Sequence, residues 1–314
     1  MSTSHEQLSS HPDTLAGFGI PLCNRAMLSL VVATEDRVTE LDRLLTSLDA
    51  QTYKNFEVIV ADQNLDDRLT PVLLQHQGLN IRHLRCERGV SRARNVGLRA
   101  AQGSIIAIPD DDCWYPEYLL ASVVEWFESH PQFGALFATM RGADGKPIGP
   151  QRPKGPCLCT KENALQCVTA INGFLRRTVA DAIGFFDENI GLGAASKYTA
   201  GEDTDYFLRP FRLGVQMWYE PSIWVGHPDL HSLERARRKT YPYALASGYV
   251  MRIHGYSWWC LTGRLARALG GAAFSLCKGD LVWAQSYAMR AAGQLYGYCF
   301  GPRELARAAE SPTN

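Results

Sequence analysis

Leu28–Thr34 (LSLVVAT) is an unbroken apolar run of strand length, and Phe56–Ala61 and Ser104–Ile108 repeat the pattern. Apolar residues at successive rather than alternate positions mean that both faces of a strand are covered, as in a parallel sheet between helical layers. The segments between the runs are helical. Leu41, Leu44, Leu45 and Leu48 form one apolar stripe. Ser91–Gln102 reads as a helix stopped by Gly103, and Pro116 suits the first turn of a helix that buries Leu119, Leu120, Val123, Val124 and Phe127. With a short strand at Ile81–Leu84, the order predicts an α/β fold with a mainly parallel sheet. In such sheets ligands bind beyond the carboxyl ends of the strands. Thr34–Arg37, Asp62–Asn64 and Asp110–Asp112 all fall there.

Composition narrows the class. With 46% hydrophobic and 20% charged residues, the chain of 314 residues has the make-up of a folded protein. Lys+Arg and Asp+Glu balance at 32 each, so no overall basic field would attract nucleic acid. The nine cysteines are scattered without a zinc-ligand spacing, which predicts reduced thiols in the cytoplasm. Residues 1–25 read as a flexible polar tail without a signal-peptide core. The longest apolar run, Ala268–Cys277, is about half the ~20 residues that a spanning helix needs.

Beyond residue 140 the pattern loosens. Residues 140–165 are rich in Gly and Pro and read as an exposed loop. Structure resumes at Val168–Thr178 and Ile183–Asp187, and Gly191–Gly193 reads as a mobile loop ahead of Gly201–Arg209 (GEDTDYFLR). Residues 232–314 form a helical region with many Arg and aromatic residues. In Trp258–Cys277, Leu261, Leu265, Ala268 and Leu269 share one face flanked by Arg264 and Arg267, a pattern that suits either a membrane interface or packing on a larger domain.

Two acidic clusters carry chemistry. Alternation along a strand lets Asp110 and Asp112 converge while Asp111 points away, and two such carboxylates suit a divalent ion that also binds phosphate oxygens. The plainer reading is an acidic turn before a helix. Glu202, Asp203 and Asp205 stand early in a helix, where acids commonly serve the dipole and Asp205–Arg209 would be an ordinary i,i+4 pair. A carboxylate there can also deprotonate an incoming hydroxyl.

The segments Ala33–Arg37 (ATEDR), Ala61–Asn64 (ADQN), Gly89–Gly97 (GVSRARNVG), Ile108–Pro116 (IPDDDCWYP), Asn172–Arg177, Gly184–Glu188 and Gly201–Arg209 occur in that order. Together they resemble the family 2 inverting glycosyltransferases with the GT-A fold, over roughly residues 27–230. The resemblance implies that Thr34, Glu35 and Asp62 hold the base and ribose, and that Arg94 lies near the base or diphosphate. It makes Asp110 and Asp112 the DxD pair: Asp110 towards ribose and metal, Asp112 on the metal, which would be Mg²⁺ or Mn²⁺. Asp203 matches the catalytic base, with Glu202 beside it. Arg209 would brace that helix or approach the phosphates, and His227 is either a further metal or phosphate contact or a satisfied loop histidine. The chain departs from the family pattern after the first strand, where Ala33–Arg37 (ATEDR) puts the acid Glu35 in the usual aromatic position, and at Cys113, where an acid often stands and a packing role is expected.

The implied activity moves a sugar from a nucleotide-sugar, a UDP-sugar favoured, to a glycan or lipid-linked acceptor in bacterial surface-polysaccharide synthesis. The expected organisation is a catalytic domain over residues 26–231 and a helical appendage over 232–314, peripheral on the inner face of the membrane. Two other readings compete: a nucleotidyltransferase, which would need a glycine-rich loop after the first strand, and a non-catalytic binding module, which would not need both acidic pairs.

Overall fold

The computed structural model describes residues 27–149, 153–228 and 233–302, with side chains omitted for 233–238. The expected tail 1–25 and the proposed boundary at 231/232 lie outside the described residues.

The first apolar run forms β1 (Leu28–Thr34), followed by α1 (Val38–Asp49), β2 (Phe56–Asp62), α2 (Thr70–Gln75), β3 (Ile81–Arg85), α3 (Val90–Ala100) and β4 (Ile105–Ala107). These strands are all parallel, in the order β3-β2-β1-β4. Leu28, Leu30, Val31 and Val32 are fully buried, as their uninterrupted apolar character requires. The four α1 leucines are also fully buried, each contributing on the order of 1.5–3 kcal/mol.

Then come α4 (Leu119–Ser129), β5 (Ala135–Arg141), β6 (Cys157–Leu158), α5 (Ala164–Cys167), β7 (Gly173–Arg176), α6 (Arg177–Ile183), α7 (Glu202–Leu208) and β8 (Met217–Gly226). Among the described residues the sheet has eight strands, continuing β4-β7-β5-β8-β6, with β7 and β6 antiparallel to their neighbours. The order reverses direction at β1/β4, which leaves a crevice outside the carboxyl ends of those strands.

Several sequence expectations change. The third helix ends at Ala100, and Gly103 is not its stop. A Cβ on Gly103 would lie 2.6 Å from Met27 O and Ser29 N, so glycine serves the close approach of this loop to β1. Pro116 stands in the turn before α4, not inside its first turn. The 140–165 stretch is not all loop: it contains the short strand β6, and β5 reaches into its start. The Gly191–Gly193 segment is pinned rather than loose. Val90 N–H donates to Leu192 O at 2.9 Å, and Ser91 Oγ donates to Ile190 O at 2.6 Å.

The C-terminal helices are α8 (Leu233–Ile253), α9 (Trp258–Cys277) and α10 (Leu281–Phe300). One face of the sheet packs on α1 and α4. The other packs on α3, α6 and α7, and Val250, Met251, Leu261 and Tyr298 join that same core. The helical region therefore packs against the sheet's second core as a further layer. Leu261 and Ala268 are buried and Leu265 packs beside them, whereas Leu269, expected on that face, is 56% exposed. The helices α8 and α10 touch at backbone distance: a Cβ on Gly297 would lie 2.0 Å from Leu245 O. All eight described cysteines are free thiols, and Cys113 is fully buried as packing.

Candidate active site

The site grows from the ends of β1, β4 and β8. Ala33 pairs with Asp110 in an isolated parallel bridge, and then the chain turns instead of continuing as a strand. Cys113 N–H donates to Asp110 O at 3.1 Å, closing that turn. Asp110 and Asp112 thus converge by turn geometry, not by the strand alternation that the sequence implied. Trp114 and Gly226 exchange backbone hydrogen bonds of 3.0 and 2.8 Å, which docks the turn on the end of β8 and brings His227 beside Asp112.

Asp110, Asp112 and His227 each offer one ligand atom within 4.8 Å of the others. His227 Nδ1 donates to the Pro228 carbonyl at 2.8 Å, because a carbonyl can only accept. That bond orients Nε2 towards Asp112, 3.3 Å from Oδ1. Asp112 Oδ1 is buried and finds no well-directed hydrogen bond. An orphaned carboxylate oxygen, a second carboxylate and an imidazole nitrogen fit a divalent cation of the Mg²⁺ or Mn²⁺ kind. Burial would raise the Asp112 carboxyl, but the close His227 imidazole and the Arg37 guanidinium outweigh it and hold it at about 2. Burial would lower His227, and the neighbouring carboxylates of Asp112 and Asp110 raise it instead.

Asp111 does not join this set. Arg37 Nη1 donates to Asp111 Oδ1 at 2.8 Å and to Asp112 Oδ2 at 2.7 Å, so it fixes the turn and partly offsets the crowded charge. Burial lifts Asp111 to about 6, against the charge of Arg37. The role of Arg37 was missed in the sequence, although it follows β1 in the quoted ATEDR segment.

The second acidic pair arrives on α7, which Gly201 opens in the left-handed region at φ 89°. Arg94, buried on α3, joins the two clusters. Its Nη2 donates to Asp110 Oδ1 and its Nη1 to Glu202 Oε1, both at 2.9 Å. Burial alone would lower Arg94, but the charges of Asp110, Glu202 and Asp203 more than compensate. Burial also raises Glu202 above the usual carboxylate range, with Arg94 opposing and Asp203 adding. Asp203 Oδ1 accepts from Thr204 N–H at 2.7 Å. Arg94 thus links the Glu202 end of α7 to the turn that carries Asp110.

Other expected residues are placed differently. Thr34 is buried at the end of β1, and Glu35 is paired with Arg88. Asp62 is fully buried with both oxygens engaged, by His83 at 2.8 Å and by Asn64 N–H at 2.8 Å, so it orders the turn after β2. Arg209 has its nitrogens on Asp205 and the carbonyls of Ile183 and Phe185. These bonds describe the bracing arrangement, with Arg209 tying α7 to the segment after α6. Asp205 also accepts from His254, in the turn just past α8, a partner that a neutral Ile-His-Gly stretch gave no reason to single out.

Residues 29–186, half of the chain, match the family described as Glycosyl transferase family 2. The chain belongs to that family. An uncharacterized glycosyltransferase of Haemophilus influenzae is 34% identical over 114 residues, 35% of this family 2 chain and 38% of the relative. The Escherichia coli UDP-Glc:alpha-D-GlcNAc-diphosphoundecaprenol beta-1,3-glucosyltransferase WfgD is 25% identical over 165 residues, 51% and 64% of the two chains. The match therefore spans well under half the length of the Haemophilus relative. In solved structures, residues 1–349 of TarS from Staphylococcus aureus superpose with a TM-score of 0.58 at 15% identity, covering 86% of this chain and 92% of that one. A Pyrobaculum calidifontis mannosyltransferase in complex with GDP-Man and Mn²⁺ gives 0.58 at 18% identity, covering 89% of each. These likenesses establish the GT-A fold for the family 2 chain.

Proposed function

We propose that the chain transfers a sugar from a nucleoside-diphosphate donor to an acceptor hydroxyl with inversion, in the synthesis of a cell-surface glycan. The observation that carries this reading is Arg94, whose two 2.9 Å bonds hold the Asp110 turn and the Glu202–Asp203 helix in one site. Asp110, Asp112 and His227 would hold a divalent ion, which would supply Lewis acidity to the departing diphosphate when bound. Asp110 also faces the donor ribose, and Thr34, Glu35 and the turn ordered by Asp62 form the base side. Asp203 takes the proton of the acceptor hydroxyl as its oxygen attacks the anomeric carbon and the bond to the diphosphate breaks on the opposite face. Arg94 and Glu202 hold Asp203 near that face.

A UDP-sugar is the favoured donor: the E. coli relative is named for UDP-Glc, and TarS has been solved with UDP-GlcNAc and with UDP. The same relative is named for a diphosphoundecaprenol acceptor, which supports a lipid-linked acceptor at the inner membrane face here. Among the described residues no helix is long and apolar enough to cross a membrane. Mn²⁺ is supported by the Pyrobaculum complex, with Mg²⁺ equally served by the carboxylates.

Asp203→Asn tests the assignment. Transfer should fall by about 10³-fold or more while donor affinity in calorimetry stays near wild type. Lost donor binding with a normal melt would remove Asp203 as the base. The nucleotidyltransferase reading predicts donor cleavage by pyrophosphate, whereas a transferase releases nucleoside diphosphate.

A further inference from the structure

The outer side of α9 is not what a solvent-facing helix normally presents. Leu261, Leu265, Ala268 and Ser275 mark its inner side. On the outer side Trp259 is 84% exposed, Leu269 56%, Phe274 62% and Leu276 55%, and Leu281 just past the turn is 69% exposed. Between them stand Gly263, Ala266, Gly270 and Ala273, all exposed. Arg264 and Arg267 are the only charges along the twenty residues of this helix, and it has no acid. An amphipathic surface helix places charged groups opposite its buried face. Here both sides are apolar and one is uncovered among the described residues.

The charge around this face has one sign. Residues 239–302 contain six Lys or Arg (Lys239, Arg252, Arg264, Arg267, Lys278, Arg290) against one acid, Asp280, while the whole chain balances at 32 and 32. Asp280 is occupied as the cap of α10, accepting from Trp283 N–H at 3.1 Å. The Lys278 ammonium lies 4.5 Å from the Phe274 ring centroid, so a cation and an aromatic share the edge of the patch. A second copy docking by a two-fold axis would set this patch against itself, Arg267 and Lys278 meeting their own kind with no acid to answer them. An anionic phospholipid surface answers both properties: headgroup phosphates take the cations, and the acyl boundary takes Trp259, Phe274 and the leucines.

We infer that α9 and its turn into α10 lie flat on an anionic bilayer through their exposed side; of the stripe that the sequence offered for that purpose, Leu261, Leu265 and Ala268 pack inwards and only Leu269 is exposed. The aromatic and aliphatic groups enter the interface, and Arg267 and Lys278 bind lipid phosphate. This deepens the membrane-side location proposed above. It does not depend on the transfer chemistry, because the patch and the Asp110–Asp112–His227 cluster use different residues.

The test is flotation of the full-length chain with vesicles of phosphatidylcholine alone or mixed with phosphatidylglycerol. The variants are Trp259→Ser/Phe274→Ser/Leu276→Ser and Arg267→Glu/Lys278→Glu, all at exposed positions, with folding checked by circular dichroism. The wild-type chain should float with the anionic vesicles and not with the neutral ones. Each variant should partition about tenfold less. Wild-type protein that stays at the bottom with anionic vesicles, or variants that float equally, would overturn the inference. So would a wild-type dimer in sedimentation velocity that the triple Ser variant dissolves, since a second copy would then cover the face. Metal-dependent donor hydrolysis in solution should be equal in all three proteins. Its absence in all three, with flotation intact, counts against the proposed activity and leaves the docking surface standing.

Discussion

His254 Nε2 lies 2.8 Å from Asp205 Oδ1, and both residues are buried, so the turn just past α8 holds the helix that carries Glu202 and Asp203. Burial would raise Asp205, but the His254 bond and the Arg209 charge bring it below the usual carboxylate range. His254→Leu removes one partner of a buried acid, which costs about 1–3 kcal/mol. Denaturant melts should show that loss, and turnover should drop more than donor affinity as α7 loosens. Because the folded carboxyl sits below its unfolded value, its contribution holds above the ordinary carboxylate pKa and is lost as pH falls through the folded one. The melt difference between wild type and variant should therefore shrink in acid.

Arg94 answers two acids from a buried position, and no other described cation bonds to both. Arg94→Lys supplies one ammonium where a planar fork met two carboxylates, so one of Asp110 and Glu202 loses its partner. Breaking one side of a buried pair costs about 3–5 kcal/mol. A thermal melt should register the loss, and calorimetry should show donor binding weakened with it. An unchanged melt would mean that the two clusters are held together by something else.

Asp112→Asn withdraws the orphaned carboxylate oxygen from the cation cluster. Titration with Mn²⁺ should lose its heat signal, and the stabilisation of the wild-type melt by Mn²⁺ should vanish. His227→Gln keeps the carboxylates and should bind Mn²⁺ about 10–100-fold more weakly, the range found when a metal site loses its support. Equal Mn²⁺ affinity in both variants would place the ion elsewhere.

His76 ties α2 to α1, with Nε2 2.9 Å from Asp42 Oδ1 and Nδ1 2.5 Å from Asp49 Oδ2. Burial would lower its pKa, but the bonds to Asp49 and Asp42 raise it above the ordinary imidazole value. The folded state therefore favours the imidazolium. Its stabilisation is complete below the unfolded pKa and is lost as pH rises through the folded one. His76→Gln should cost about 1 kcal/mol near pH ~6 and less near pH ~8.5. Urea midpoints at the two values decide it; a constant difference would show that the ion pairs contribute nothing.

The parallel half of the sheet was legible in the residues alone, and so were the two acidic clusters as candidates. The apolar stretches Leu30–Ala33 and Val58–Ala61 read as buried strands, because consecutive apolar residues leave no face for water. The acids Asp110, Asp112, Glu202 and Asp203 were visible because charges directly after or before buried elements need a reason. Strand β5 was not legible, since Ala135–Arg141 carries no local sign of its pairing with β7 and β8, which lie far along the chain. Only the tertiary structure decided which acids meet. The Trp114–Gly226 bridge sets His227 on Asp112, and Arg94 reaches 16 residues forward to Asp110 and 108 to Glu202. It also oriented α9: periodicity revealed an apolar stripe, but both sides of that helix are apolar, and only packing against the core chose which one stays open. Local spacing records which side chains share a face, while the partner of that face is set by contacts that close late along the chain.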